Sequence, residues 1–384
     1  MQHQNSVFHA LTKHIPWPQF ERLVAERKAD HRVRRLDSKS HLLSLLFGQF
    51  AGASSLREIE AGLTSHQCRL YHLGAKRPAR STLSDANAKR PWALFADLFA
   101  YMAGEASRPT RRRIADATRI IDATKVNLSD LSAEWARFSA DHCAAKLHIV
   151  YDPDSATPLR ADITPDNVND ITPAKALKIE PGATYVFDLA YYDYGWWAKL
   201  DAMGCRFVTR LKSNTKIAET ARLALPKGSN ILSDRIGILP QRMARSRRNP
   251  MSDPIREITL RISTKKVIRL VTNDLDATAE DIAELYKQRW QIELFFKWIK
   301  QNLKIKHFLG TSENAVRIQL FTALIAFLML RAANACQRAV VQPGTFARLV
   351  RFNLMHKRPI DALIKPWRQP TIDNRQLSWK FEQC

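Results

Sequence analysis

Cysteine is scarce and scattered. Cys68, Cys143, Cys205, Cys336 and Cys384 form no CxxC pair and no framework of spacings, which excludes a disulfide-stapled scaffold and speaks against structural zinc. Long apolar runs are also short of what a membrane needs. The longest, Leu320 to Leu330, falls below the roughly 20 residues of a spanning helix. The opening stretch MQHQNSVFHA lacks the charged start and apolar core of a secretory signal, so a cytoplasmic protein is expected. Internal repeats and low-complexity tracts are missing too. Negative charge is in deficit: 37 Asp and Glu stand against 60 Lys and Arg, for a net charge of +23. Solubility asks for far less, so a polyanionic partner is expected, with nucleic acid ahead of a membrane surface.

What is present is material for a large core. A chain of 384 residues, 45% of them hydrophobic, is long enough for two or three domains. Residues 1–108 read as all-helical, with apolar residues at helical spacing in HLLSLLFGQF (41–50) and PWALFADLFAYM (91–102). A basic cluster, Arg27, Lys28, Arg32, Arg34 and Arg35, precedes SSLREIEAGL (54–63), and RSTLSDANAKR (80–90) starts a helix at Ser81 or Thr82. These two segments are candidates for a DNA-reading helix-turn-helix; packing and dimerisation are the alternatives, and the sequence leaves the choice open. Composition shifts at PTRRR (109–113), which opens a second unit, 109–340. A basic tail, 341–384, follows with Arg348, Arg351, Lys357 and Arg358, its helices interrupted by Pro359, Pro366 and Pro370.

The second unit reads as α/β. RIIDATKVNL (119–128) has the branched apolar composition of a buried strand yet holds Asp122, and a buried carboxylate is costly unless something answers its charge. LHIVYD (147–152) is a further strand in which His148 reads as a packed residue. In ATYVFDLAYYDYGWWAKL (183–200), Tyr185 to Phe187 form a short strand with Asp188 at its carboxyl end, where open α/β sheets place their chemistry. The aromatic residues after it read as core. CRFVTRLKSN (205–214) alternates as a strand and ends in Arg210 and Lys212. The stretch of about 214–266 is too long for one loop of a compact domain and reads as a β-rich insertion; its Arg242, Arg245, Arg247 and Arg248 suit a phosphate backbone. VIRLVTN (267–273) returns to the sheet, Thr278 and Asp281 cap the next helix, and 313–336 is a buried helix.

The stretch YKQRWQIELFFKWIK (286–300) organises the rest. On a helix turning about 100° per residue, Tyr286, Arg289, Glu293 and Lys300 share an arc of about 60°, while Ile292, Phe295, Trp298 and Ile299 face a core. A solvated face laced with ion pairs is also polar, but it rarely isolates one carboxylate beside an aromatic hydroxyl and two cations. Asp122, Asp188 and Glu293 are therefore the candidate catalytic and metal-ligating residues. Three carboxylates brought together raise one another's pKa, and hard divalent cations offset that. Two Mg²⁺ ions roughly 3.5–4 Å apart, with Mn²⁺ as the alternative metal, activate water or a 3′-hydroxyl and stabilise the leaving oxygen. Asp116 and Asp193 are the alternates if the strand phases differ.

The spacing of Tyr286, Arg289, Glu293 and Lys300 resembles the Tyr-Arg-Glu-Lys signature of insertion-sequence-4 type transposases. IDAT (121–124) and VFDLAYYDYGWW (186–197) are similar to the segments holding that family's two catalytic Asp residues, and FVTRLKSN (207–214) and LVTNDL (270–275) to its flanking strands. The likeness covers nearly the whole chain, because SVFHALTKHIPW, SSLREIEAGL and RSTLSDANAKRP resemble the helical domain of one bacterial branch. It implies a ribonuclease-H-like core, a mixed sheet flanked by helices with a β-strand insertion between Asp188 and Glu293. It also implies Mg²⁺-dependent nicking, hairpin formation and strand transfer on double-stranded DNA by a synaptic homodimer in the bacterial cytoplasm, at the nucleoid when bound. Tyr286, Arg289 and Lys300 would hold terminal phosphates. One departure stands out: relatives stack a Trp from the insertion on a flipped base, and residues 214–271 contain no Trp, Tyr or Phe.

Overall fold

The computed structural model describes residues 5–110, 117–139, 142–225, 228–241, 248–303, 305 and 308–364. Its first part is helical: α1 (Val7–Thr12), α2 (Trp17–Glu26), α3 (Ser38–Ala51), α4 (Leu56–Ser65), α5 (Gln67–Leu73), α6 (Arg80–Lys89) and α7 (Trp92–Ser107). Local chemistry sets the ends. Asp37 caps α3 by accepting from the Ser40 N–H at 2.7 Å, and Gly52, at φ 74°, closes it in the left-handed region that glycine enters without cost. The segments 54–63 and 80–90 are helical as α4 and α6, but α5 lies between them. The short turn of a helix-turn-helix pair is therefore not there.

The strands and remaining helices follow as β1 (Thr118–Leu128), α8 (Ala133–Ala136), β2 (Arg137–Ser139), β3 (His142–Asp152), β4 (Thr157–Pro165), α9 (Ile171–Ala176), β5 (Thr184–Phe187), α10 (Tyr194–Ala202), β6 (Arg206–Arg210), β7 (Ala218–Arg222), β8 (Ile231–Ile238), β9 (Ile255–Ser263), β10 (Lys266–Thr272), α11 (Ala279–Gln288), α12 (Trp290–Asn302), α13 (Glu313–Ala335) and α14 (Pro343–Asn353). The strands build one mixed sheet, ordered β2-β3-β1-β5-β6-β10-β9-β8-β7, with β4 also paired to β3. The central β1, β5 and β6 are parallel; β3 and β10 flank them antiparallel. The stretch 214–266 supplies β7, β8 and β9, which widen the same sheet beyond β10.

The two-residue period of strands sorts the side chains onto two faces. Ile120, Val186, Val208 and Leu270 join a core with α11, α12, α13 and the amino-terminal helices. Ile121, Phe187, Phe207 and Val271 join a second core with α9 and α10, where Trp196 and Trp197 are at most 1% exposed. The aromatic run 191–197 is core, Tyr194 included.

Helix α13 corrects the count of apolar residues. It runs for 23 residues, beginning before Leu320 and continuing past Arg331, and an 18-residue window of it has a mean hydropathy of 1.7, long and apolar enough to cross a membrane. In the fold 83% of that window is buried, so the apolar surface is consumed by packing. At its start Asn314 joins the two parts of the chain: its Nδ2 donates to the carbonyls of Asn87 (2.7 Å) and Arg90 (2.8 Å), and its Oδ1 accepts from the Trp92 N–H (3.3 Å). Trp92 stacks on Phe321 beside it. Asn314→Ala leaves these backbone groups without their partner, at a cost of about 1–3 kcal/mol, and a lowered urea midpoint is the expected measurement.

The stripe helix 286–300 is also corrected. It is two helices, with Arg289 as the turn between α11 and α12. The Arg289 N–H reaches back only to the Tyr286 carbonyl, and the Ile292 N–H only to Arg289, each at 3.2 Å, so the chain tightens for one turn. The stretch contains neither proline nor glycine, and at the turn the Arg289 side chain meets a carboxylate on β1.

Candidate functional site

Sheet register assembles the site. The last β1–β5 pair is Ile121 with Phe187, so Asp122 and Asp188 are each one step further on in neighbouring strands about 4.8 Å apart. The β5–β6 register pairs Val186 with Val208, which carries Arg210 into the same row beside Asp188. By alternation Asp122 shares the face of Ile120, toward α11 and α12. Glu293 comes down from the first turn of α12.

Arg289 ties these parts together. Its Nη1 lies 3.3 Å from Asp122 Oδ2 and its Nη2 2.5 Å from Glu293 Oε1, with the guanidinium 5.6 Å from the Tyr286 ring centre. Burial pushes the Asp122 carboxyl up to about 7; Asp188 and Glu293 push the same way, against the Ala123 N–H and Arg289. Burial also raises Asp188, opposed by the Ala190 N–H at 2.8 Å and by the charges of Arg289 and Arg210. The carboxylates are thus crowded and short of positive charge. As hard oxygen donors they suit a divalent cation by type. Yet among the described residues no three acidic, His or Cys side chains are already gathered closely enough to hold one. The reason is visible: Arg289 stands between Asp122 and Glu293, and a cation shared by them requires it to turn aside.

The other expected residues are distributed unevenly. Lys300 is half-buried on α12, two turns beyond Glu293. Lys212 is exposed, with its Nζ 4.4 Å from the centre of the Tyr192 ring. Arg248 is exposed beyond β8. Arg242, Arg245, Arg247 and Asp116 lie outside the described residues. Asp193 is engaged elsewhere, capping α10 through the Trp196 N–H and pairing with Lys175 at 2.6 Å. His148 is a packed strand residue bonded to Thr164 at 2.8 Å. In the tail, Arg351 donates to the Asn302 carbonyl and Arg358 to Asn353. Sequence reasoning missed Trp290, which is 58% exposed next to Arg289; at about 100° per residue it falls roughly 40° from Tyr286, beside the polar stripe, so the helical wheel carried the signal that could have found it.

Acidic side chains at the carboxyl edge of a mixed sheet, ringed by arginines on a strongly basic chain, define an enzyme of phosphodiester chemistry. The chain belongs to the family described as the transposase DDE domain, which matches residues 115–329. A transposase of Sinorhizobium fredii, y4zB, is 40% identical over 312 residues, covering 79% of this chain and 87% of that one. A transposase of Geobacillus stearothermophilus for insertion sequence element IS5377 is 30% identical over 268 residues, covering 67% and 68%. The protein is accordingly a DNA transposase, and its family implies a divalent metal. Residues 3–76 match a second family, described as a domain of unknown function. A structure of the piggyBac transposase synaptic complex with hairpin DNA covers 91% of this chain and 78% of its own at 11% identity and a TM-score of 0.42, too distant to bear on the argument.

Proposed function

We propose that this transposase is of the insertion-sequence-4 type, with a ribonuclease-H-like core in which Asp122, Asp188 and Glu293 are the catalytic metal ligands. The observation that carries the reading is the shared register row of Asp122 and Asp188, with Arg289, which also holds Glu293, reaching Asp122 across 167 residues. The ion is Mg²⁺, with Mn²⁺ as substitute; when bound it supplies the positive charge that activates the attacking oxygen. The chain's own residues do the rest. Arg289, turned from its carboxylates, holds a terminal phosphate with Tyr286 and Lys300, and Arg210, Lys212 and Arg248 neutralise the neighbouring backbone. Trp290 offers the stacking surface that the insertion lacks.

The reading extends to organisation. Residues 1–108 form a helical unit for DNA or partner contact, 109–340 the catalytic unit with the insertion at about 214–266, and 341–384 a basic tail. The active species is a homodimer synapsing two terminal inverted repeats in the cytoplasm. The test is an in vitro reaction with Mg²⁺, a plasmid carrying the two DNA segments that flank the coding region, and a target plasmid. Nicks exposing a 3′-hydroxyl, followed by joining to the target, are expected. Cleavage without joining would make the protein a nuclease of the same architecture; end binding without cleavage would make it a DNA-binding protein only.

A further inference from the structure

We infer that buried Glu257 and half-buried Arg269, as a pair, position the edge of the active site from behind, through the turn 211–215. Glu257, on β9, is 1% exposed. Its Oε2 accepts from Arg235 Nε (3.0 Å) and Nη2 (2.8 Å), and its Oε1 from Arg269 Nε (2.5 Å). Arg269, on β10, spends its remaining donors on the turn after β6: Nη1 on the carbonyls of Lys212 (2.9 Å) and Ser213 (3.0 Å), Nη2 on that of Thr215 (2.9 Å). Its own carbonyl accepts from the Leu211 N–H at 2.8 Å. Three carbonyls aimed at one point need a planar fork; an ammonium, with its compact charge, does not span them.

The far side of the turn meets the segment behind Asp188. Thr215 Oγ1 lies 2.8 Å from Tyr192 Oη, which lies 2.9 Å from Tyr194 Oη, and Thr209 Oγ1 donates to the Asp188 carbonyl at 3.2 Å. A chain of hydrogen bonds therefore runs from the insertion strand β9 through Arg269 and the turn to the loop that carries Asp188. Arg210, in the row with Asp188, and Lys212 are anchored by it. Neither Glu257 nor Arg269 lies in the catalytic row; they are positioning residues, and the assignment rests on the reading of Asp188 and Arg210 as parts of the active site.

The test is single-turnover nicking of the end-bearing plasmid by the full-length protein in Mg²⁺, comparing Arg269→Lys, Tyr192→Phe and the inactive control Asp122→Asn. A positioning role lowers the rate constant in Arg269→Lys by about ten- to a hundredfold, the scale of sub-ångström to 1 Å misplacement, while the amplitude, which counts folded molecules, stays. Tyr192→Phe, which cuts the chain at its other end and leaves the fork intact, lowers the rate in the same way, and hydrogen exchange speeds up in residues 188–192 and 211–215. If Arg269→Lys loses only amplitude, or fails to fold while Tyr192→Phe nicks at the unaltered rate, the pair is structural and the inference falls. If Asp122→Asn nicks normally, it is the reading of the site that falls instead.

Discussion

Asp122→Asn lowers DNA cleavage by about 10³-fold or more and leaves DNA binding in place. The loss follows from the charge the site is built to hold. On the proposed reading Asp122, Asp188 and Glu293 would hold a divalent cation once Arg289 turns aside, and the several kcal/mol of electrostatic stabilisation it would supply are lost when a ligand no longer carries charge, at a factor of ten per 1.36 kcal/mol. Binding is expected to survive because, on the same proposal, the phosphates would be held by Arg210, Lys212, Arg248 and Lys300. A gel-shift measurement beside the nicking assay separates the two.

The same substitution makes the metal-free protein more stable, and pH reveals it. Burial, above all, pushes the folded Asp122 carboxyl up from the ordinary 3.8 to about 7. The folded state therefore binds the proton more tightly than the unfolded chain, and stability falls as pH rises through that window. Asn carries no charge to desolvate, so its advantage is small near pH 4, grows toward pH 7 and is full above it. Melting curves in EDTA at pH 5 and pH 8 measure it; an equal melting temperature at pH 8 would contradict the burial argument.

Arg256→Ala has the largest expected effect on folding. Arg256 and Asp234 are 4% and 2% exposed, joined by two bonds, Nε to Oδ1 at 2.8 Å and Nη2 to Oδ2 at 2.7 Å. The remaining nitrogen donates to the carbonyls of Leu275 and Ala277, just ahead of α11. Deleting one partner strands a carboxylate inside the protein and costs about 3–5 kcal/mol. Replacing both, as Asp234→Leu with Arg256→Met, recovers at least half of the loss, because a matched apolar pair removes the desolvation penalty along with the attraction. Urea midpoints of the single and double variants decide the point.

Much of this was legible in the residues, and the failures share a cause. The strands around Asp122 and Asp188 are marked by short branched or aromatic runs bounded by turn residues, and their carboxylates stand out as charges in apolar company. The turn at Arg289 has no such mark, because neither Gly nor Pro breaks 286–300. The Asp234–Arg256 and Glu257–Arg269 pairs were equally hidden, since in a β-rich stretch any charged residue reads as solvent-facing until the sheet that covers it is known.

The residues by themselves determined a basic chain without a disulfide framework, an α/β alternation, and three acidic residues set apart on strand and helix; the transposase class came from the resemblance of the segments around them to a known family. Composition, periodicity and short motifs are local properties, which short-range chemistry sets. Only the tertiary structure decided that Asp122, Asp188 and Arg210 stand in one row, that Arg289 turns to bridge Asp122 and Glu293, and that Glu257 of the insertion meets Arg269 and, through it, the turn after β6. Contacts between residues 167 and 57 positions apart depend on strand register and packing, which no local stretch of sequence encodes.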